Sequence, residues 1–344
     1  MMTLASDVLQ CVLLYFDVRE IALSNKFYRT LVRELHGLNA SHEILHLIAE
    51  KLLIWRARIC RESVYGKTIG FYKGVVIGRE RQGTEHYDVI VKDSRESCVY
   101  DMTHLVSEAF IKLYPSSPLI VFDAILWELH HNKEKKRALQ QFLFSLNIVR
   151  RYLTDLNVAV ISPSDELKNI LKTIKNRIEI IKRVNTIQSK YNSIVVLDPY
   201  ADKALTESEI MKADVFIIGL LVDDMFPRPF ATYTMSLLRS LDAYERRAII
   251  YKNHVIGVPK EINKIVEILL KVRFEGRSID TAIKEAMGVD DKIKRIIYEA
   301  LRHCSMGKVV NESILRDLMN ELKLDERYYN KVLARVRKLS CWRS

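Results

Sequence analysis

Asp214-Val215-Phe216-Ile217-Ile218-Gly219-Leu220-Leu221-Val222-Asp223-Asp224 is the stretch on which the fold reading turns. A short, continuously apolar run that ends in glycine and then meets two carboxylates has the pattern of a strand buried on both faces. Three upstream runs share that character: Pro118-Leu119-Ile120-Val121-Phe122-Asp123, Asn157-Val158-Ala159-Val160-Ile161 and Ile194-Val195-Val196-Leu197-Asp198. Charged stretches with helical spacing separate them, at about 131–153, 164–184 and 206–212. Two later strands are expected at 247–251 and 254–257, before a helix at 260–273. Apolar strands alternating with helices predict an α/β fold with a mostly parallel sheet covered on both faces.

Outside that core the pattern changes. Residues 1–63 read as helical, led by Ile44, Leu45, Leu47, Ile48 and Leu52 at three- and four-residue spacing. Glycines at 66, 70, 74, 78 and 83 then punctuate short strand-like runs over 66–96, which predicts a small sheet. Residues 278–344 carry apolar positions suited to three helices, around Ile293–Leu301, Ile314–Leu322 and Val332–Leu339.

Composition narrows the function classes. Of 344 residues 49% are hydrophobic and 28% charged, the balance of a folded chain. The net charge of +11 favours a polyanionic partner, with nucleic acid first and an anionic membrane or an acidic protein as the plainer alternatives. Cys11, Cys60, Cys98, Cys304 and Cys341 are odd in number and form no CxxC pair, so they read as isolated thiols in a reducing compartment, with no metal site. The apolar stretch Leu9–Phe16 is short and flanked by Asp7 and Asp17, which points to a cytoplasmic protein without a membrane span.

Ligands of open parallel sheets bind beyond the carboxyl ends of the strands. That rule selects Asp123, Asp198-Pro199-Tyr200 and Gly219 to Asp224. No GxGxxG, GxxxxGK[ST] or GxSxG pattern occurs, which argues against nicotinamide dehydrogenases, P-loop hydrolases and serine hydrolases. His130 and His131 are adjacent and cannot share one helical face, so surface placement or packing explains them better than a metal. Asp223 and Asp224 stand beside Pro227-Arg228-Pro229, an arrangement that serves either a site or a capped turn. A second stretch, Asn253 to Pro259, leads into a helix whose first backbone N–H groups are free to meet a polar ligand.

These two stretches carry a family resemblance. Gly219-Leu220-Leu221-Val222-Asp223 is similar to the Gly-Gly-[Ile/Leu]-Val-Asp strand end of the tRNA position-9 purine N1-methyltransferases, SPOUT-superfamily enzymes, and most of all to their archaeal branch. Val258-Pro259-Lys260-Glu261-Ile262-Asn263 and the following residues to Leu269 resemble that family's cofactor loop and knot helix, and Phe122-Asp123, Leu146–Tyr152 and Leu197-Asp198-Pro199 follow its order of elements. The likeness covers about residues 117–288. Leu220 departs from it, standing where the family has its second glycine, and Asp224 is acidic where the family often has a basic residue.

The resemblance implies a SPOUT-like parallel sheet with a C-terminal trefoil knot at 101–288, an N-terminal α+β domain at 1–100 that is a candidate RNA-binding module, and a C-terminal helical domain at 289–344. It implies S-adenosyl-L-methionine as cofactor, held by Leu197, Gly219, Val222, Gly257, Val258, Pro259, Asn263 and Ile268. It implies Asp223 as the catalytic carboxylate, with Asp224 sharing the role. Guanine N1 must lose a proton as it is methylated and so calls for a general base. Adenine N1 presents a lone pair, and there Asp223 would orient the base or stabilise developing charge. The sequence does not choose between them. Candidate phosphate contacts are Lys168, Lys172, Lys175, Arg177, Arg228, Arg246 and Arg247, with plain solvated charge as the alternative. The expected partner is tRNA, without an obligate protein partner, and the family typically works as a monomer. The rival readings are a SPOUT methyltransferase for another tRNA or rRNA position, an RNA-binding protein without catalysis, and a peripheral membrane or scaffolding protein.

Overall fold

The computed structural model describes residues 4–35, 41–223, 225, 227–241 and 244–343, and the chain divides into two compact units. The first comprises residues 1–125 and 146–186, the second residues 126–145 and 187–344.

The first unit begins with α1 (Leu4–Tyr15), β1 (Glu20–Leu23), α2 (Asn25–Val32) and α3 (Ser41–Leu53). Then come β2 (Ala57–Tyr72), β3 (Val75–Glu80), β4 (Glu85–Asp93), β5 (Tyr100–Asp101) and α4 (Thr103–Leu113). The strands form one sheet in the order β3-β1-β4-β2-β5, in which β2 also pairs with β3. Long β2 does this by shifting register between Arg61 and Val64 and again between Thr68 and Gly70. Helices α1, α3 and α4 bury Leu9, Leu13, Leu45, Ile48, Leu52, Val106 and Phe110 with Ile21, Leu23, Ile77 and Val91 in one apolar cluster. The expectation of helix throughout 1–63 is therefore corrected: the segment includes β1 and the start of β2. The apolar run Ile21-Ala22-Leu23 and the mixed stretch Ala57-Arg58-Ile59-Cys60 are too short for helical periodicity to be told from a strand.

Three parallel strands follow in this unit, β6 (Leu119–Asp123), β7 (Val158–Ile161) and β8 (Glu179–Ile181), with Ile120 opposite Val158 and Ala159 opposite Glu179. Between β6 and β7 in the chain lies α5 (Asn132–Tyr152), and α6 (Asp165–Thr173) precedes β8. The helix expected over 164–184 thus stops at Thr173. Ser164 caps its start by accepting from the Leu167 N–H at 3.2 Å. At its end the Asn176 side-chain amide donates to the carbonyls of Leu171 and Ile174, both at 2.8 Å, and so closes the last turn. Ile178 and Ile181 continue a four-and-three spacing, yet they belong to an extended segment.

The second unit opens its sheet with β9 (Ile194–Leu197), preceded by the short α7 (Asn185–Gln188). α8 (Glu207–Lys212), β10 (Val215–Gly219), α9 (Ala231–Leu238) and β11 (Glu245–Arg247) complete it. β9 is central and parallel to both neighbours, with Val196 opposite Ile217 on one side and Arg246 on the other. The strands expected at 247–251 and 254–257 are corrected to β11 at 245–247, followed by isolated bridges at Ala248 and between Tyr251 and His254. The second of these stretches is a turn, because Asn253 and Gly257 take left-handed backbone angles that break any strand. α10 (Ile262–Glu275) then leads to the tail helices α11 (Ile279–Ala286), α12 (Val289–Ser305), α13 (Glu312–Glu321) and α14 (Tyr329–Val336). Among the described residues no helix is long and apolar enough to cross a membrane.

The cysteine reading is also corrected. Cys60 bonds Cys98 and Cys304 bonds Cys341, leaving Cys11 as an exposed thiol. Separations of 38 and 37 residues are invisible to any local spacing rule.

Candidate active site

The carboxyl ends of β9 and β10 lie side by side, because the strands are parallel and in register up to Val196 and Ile217. Leu197 ends the first and Gly219 the second. Beyond Gly219 the described residues up to Arg228 are held by three anchors: two side chains from residues 126–145, His130 and Glu134, and Arg228 itself. His130 supplies the first: its Nε2 accepts the Val222 N–H at 2.9 Å, while Nδ1 faces the Trp127 carbonyl at 3.0 Å. Those partners fix the neutral tautomer with the proton on Nδ1, and burial of the ring pushes its pKa down, in keeping with that state.

Glu134, on the first turn of α5 and 1% exposed, is the second anchor. Its Oε1 accepts the Met225 N–H at 3.1 Å and its Oε2 the His131 N–H at 3.1 Å. Arg228 meets both oxygens, at 3.2 and 2.9 Å. The Arg228 guanidinium, with help from these backbone donors, holds the carboxyl down at about 2. Arg228 is the third anchor: it also donates to the carbonyls of Val222, at 3.3 Å, and Leu129, at 2.7 Å. The outcome for Asp223 is a side chain that stays exposed, with Oδ2 3.4 Å from the Arg228 N–H. Asp224 lies outside the described residues.

The same helix fixes the other stretch. Gln141 Oε1 accepts the Ile262 N–H at 2.9 Å, at the start of α10. Glu134, Ala138, Gln141 and Ser145 are all buried and recur at four, three and four residues, so they form one face of α5. Glu134 and Gln141 are two turns apart, about 10 Å at 1.5 Å per residue. One rigid face therefore sets the spacing between the loop after β10 and the first turn of α10.

Main chain and aliphatic groups make up most of the remaining surface. Leu197, Val222, Pro259 and Ile268 are buried, while Val258 and Asn263 are half-buried. A Cβ added to Gly219 would meet the Met235 Sδ at 3.5 Å and the Thr232 Oγ1 at 3.9 Å, ordinary van der Waals contacts without a clash. Leu220, the departure from the family pattern, is 1% exposed. A buried side chain there packs into the protein instead of standing in an open pocket.

At the end of β9, buried Asp198 accepts the Tyr200 N–H at 3.0 Å on Oδ1 and Arg246 at 2.9 Å on Oδ2. Arg246 in turn lies over the Tyr233 ring, 4.4 Å from its centroid. The exposed rings of Tyr200 and Phe230 meet at 4.7 Å. Arg247 is engaged by Glu209 at 2.6 Å and by Glu245. Arg228, Arg246 and Arg247 thus spend their charge on carboxylates of this unit. In the first unit Lys172 and Lys175 are exposed, Lys168 pairs with Asp165 at 2.8 Å, and Arg177 lies over the Trp55 ring. Lys168 and Lys172 border a groove of about 310 Å³ with Leu171, Asn176 and Ile178.

Sequence reasoning missed His130 and Glu134 as parts of the site. His130 meets its partner 92 residues away, and Glu134 is hidden in the basic run Lys133-Glu134-Lys135-Lys136-Arg137, where it reads as solvated. One signal was available: a glutamate three residues into a helix that reaches back to the N–H before it is half of a capping box.

No family model matches the chain. It is 29% identical over 228 residues to a tRNA (adenine(9)-N1)-methyltransferase of Sulfolobus acidocaldarius, an alignment covering 65% of this chain and 71% of that one. It is 30% identical over 249 residues to a tRNA (guanine(9)-/adenine(9)-N1)-methyltransferase of Thermococcus kodakarensis, covering 67% of this chain and 66% of that one. Among solved structures, Trm10 of Sulfolobus acidocaldarius in complex with S-adenosylhomocysteine shares the fold, with a TM-score of 0.68 over 97% of this chain and 99% of that one at 23% identity. A second crystal structure of that protein gives a TM-score of 0.57 at 25% identity, over 82% of this chain and 98% of the other.

Proposed function

We infer that this chain, which is homologous to the archaeal tRNA position-9 N1-methyltransferases of the SPOUT superfamily, is an S-adenosylmethionine-dependent tRNA purine-N1-methyltransferase. The observation that carries the chemistry is Asp223: a carboxylate left exposed beyond the end of a buried parallel strand, in a segment that His130, Glu134 and Arg228 tie down through hydrogen bonds. Such preorganisation is what proton transfer at a defined atom requires.

The residues present suit the methyl donor. Leu197, Gly219, Val222, Gly257, Val258, Pro259, Asn263 and Ile268 offer main chain, aliphatic surface and one amide, which match a neutral adenine and the aliphatic carbons flanking the sulfur. Bound S-adenosylmethionine supplies a methyl group on a cationic sulfur. Asp223 accepts the proton that guanine N1 must lose, or, with adenine, faces the positive charge that the ring acquires. Tyr200 and Phe230, both about half-exposed, present ring faces on which a purine drawn out of the tRNA body can stack. Lys168, Lys172, Lys175 and Arg177 are the phosphate contacts of this reading. The reading also includes the family's C-terminal trefoil knot, supported by the run of parallel β9, β10 and β11 into α10. It makes the protein a cytoplasmic monomer.

Labelled S-adenosylmethionine, unmodified tRNAs bearing G or A at position 9, and an Asp223→Asn variant test it. Label at purine N1 of position 9 is the expected result. Loss of at least a hundredfold in kcat on guanine with a smaller loss on adenine identifies the general base, in line with about 10²–10⁴-fold for such groups. Incorporation at another nucleotide, or none by folded protein, refutes the assignment.

A further inference from the structure

We propose that Arg295, on tail helix α12, is a positioning residue for the cofactor, shaping the loop Tyr251–Pro259 from within the C-terminal helices. This rests on reading Gly257–Pro259 as cofactor contacts. Arg295 is 1% exposed. Its Nη1 donates to the Tyr251 carbonyl at 2.8 Å and to the Ile256 carbonyl at 3.1 Å, so one nitrogen ties the two ends of the turn together. Its Nη2 is held by Glu299 one helical turn onward. The guanidinium lies 4.7 Å from the centre of the Tyr251 ring and 5.3 Å from that of Tyr298.

The loop needs such a hold. Lys252, Asn253 and Gly257 have φ of +46°, +67° and +86°, and side-chain-bearing residues keep such angles only where their surroundings impose them. Within the loop, backbone bonds join Tyr251 and His254, at 2.8 and 3.0 Å, and the Val258 N–H to the Val255 carbonyl, at 3.1 Å. Contact between Arg295 and the loop is also close. A Cβ on Gly257 would sit 2.7 Å from the Cβ of Arg295, so the arginine stem fills the space that a side chain would need.

An arginine is a costly way to fill a core, since a desolvated guanidinium must recover its hydration through hydrogen bonds, and an apolar side chain of similar volume would pack without that cost. Arginine differs from an apolar residue here in bridging two carbonyls. That makes the shape of the loop, and with it the direction of the backbone at Gly257, Val258 and Pro259, the thing it serves. The tail helices would then take part in cofactor affinity without touching the cofactor.

The test uses the full chain, with S-adenosylhomocysteine titrated by calorimetry and methyl transfer measured at varied S-adenosylmethionine and varied tRNA. Arg295→Met is expected to raise the Kd for S-adenosylhomocysteine and the KM for S-adenosylmethionine tenfold or more. At saturating cofactor, kcat and the KM for tRNA should stay within threefold. Arg295→Lys, which keeps the charge and a single donor group, should recover part of the loss. Gly257→Ala should weaken the cofactor too, and the double variant should lose less than the product of the single losses, because both act through one contact. If Arg295→Met does not fold, Arg295→Lys and Glu299→Gln carry the same expectation of raised cofactor KM at unchanged tRNA KM. Folded variants with wild-type cofactor affinity overturn the inference, as does a fall in kcat with cofactor KM unchanged. Wild-type protein that binds no S-adenosylhomocysteine overturns the cofactor reading, and this inference with it; wild-type binding with unaltered variants overturns this inference alone.

Discussion

Replacing Glu134 by glutamine tests whether the loop bearing Asp223 is held from α5. Each carboxylate oxygen receives two N–H donors: Oε1 from Met225 and Arg228, Oε2 from His131 and Arg228. Glutamine turns one of those oxygens into an NH₂ group, which sets donor against donor twice and leaves Arg228 without its counter-charge. A hydrogen bond to a charged group is worth about 1.5–3 kcal/mol, and breaking a buried ion pair from one side costs about 3–5 kcal/mol. Arg228 is 17% exposed and water can reach it, so the lower end, about 3 kcal/mol, is expected. For a unit of roughly 180 residues that lowers the Tm by about 8 °C. The pH dependence has a definite sign. A carboxyl held at about 2 against an ordinary 4.5 contributes stability fully above 4.5 and loses it as the pH falls through 2. The difference between wild type and Glu134→Gln should therefore be constant above about pH 5 and shrink towards pH 2. Differential scanning calorimetry across that range, alongside single-turnover methylation at neutral pH, reads both effects, and kcat should fall at least tenfold. A Tm within 2 °C of wild type and an unchanged kcat would refute the idea that this clamp holds the loop.

The other expectations are simpler to test. Gly219→Ala should leave thermal stability within about 1 kcal/mol, since its nearest atom would be 3.5 Å away, yet raise the cofactor Kd at least tenfold; equal effects on both would mean that the position is structural. His130→Phe removes the acceptor of a buried N–H, worth about 1–3 kcal/mol, and should lower kcat with little change in tRNA affinity; rapid-quench kinetics showing normal chemistry would exclude the anchor. Thiol titration of unreduced, denatured protein should find one reactive cysteine, Cys11, and reduction should cost about 3–4 kcal/mol per closed loop; five reactive thiols would remove both disulfides from the account.

Much of the parallel sheet was legible because strands such as Ile194–Leu197 and Val215–Gly219 are apolar throughout and short, which leaves few other readings. α5 and α10 were legible from long amphipathic spacing. Where the sequence misled, two periods coincided. Ile174, Ile178 and Ile181 suit a helix by spacing, yet Ile174 is already extended and the Asn176 amide closes the turn over Leu171 and Ile174. Asp223 and Gly257 stand out in the sequence as a carboxylate just after an apolar strand and a glycine just before a proline-led helix, both of them local patterns. The groups that hold them do not: His130, Glu134 and Arg295 act on carbonyls and N–H groups 39 to 92 residues away, and backbone partners leave no side-chain pattern to read.

The internal pairing of Arg228, Arg246 and Arg247 changes what the chain's +11 charge means for polyanion binding. Each phosphate neutralised releases roughly 0.7–0.9 of a condensed counterion, so seven contacts would give a slope of log K against log salt near −5 to −6. Lys168 is paired as well, with Asp165, so four of the seven basic side chains are committed to carboxylates, three remain, and the slope falls to about −2 to −3. Affinity for a folded polyanion should then decline about fivefold when salt doubles, where seven contacts would give roughly fortyfold. Binding would persist at ionic strengths that strip a protein of equal net charge whose arginines were free, with stacking and shape carrying more of the recognition.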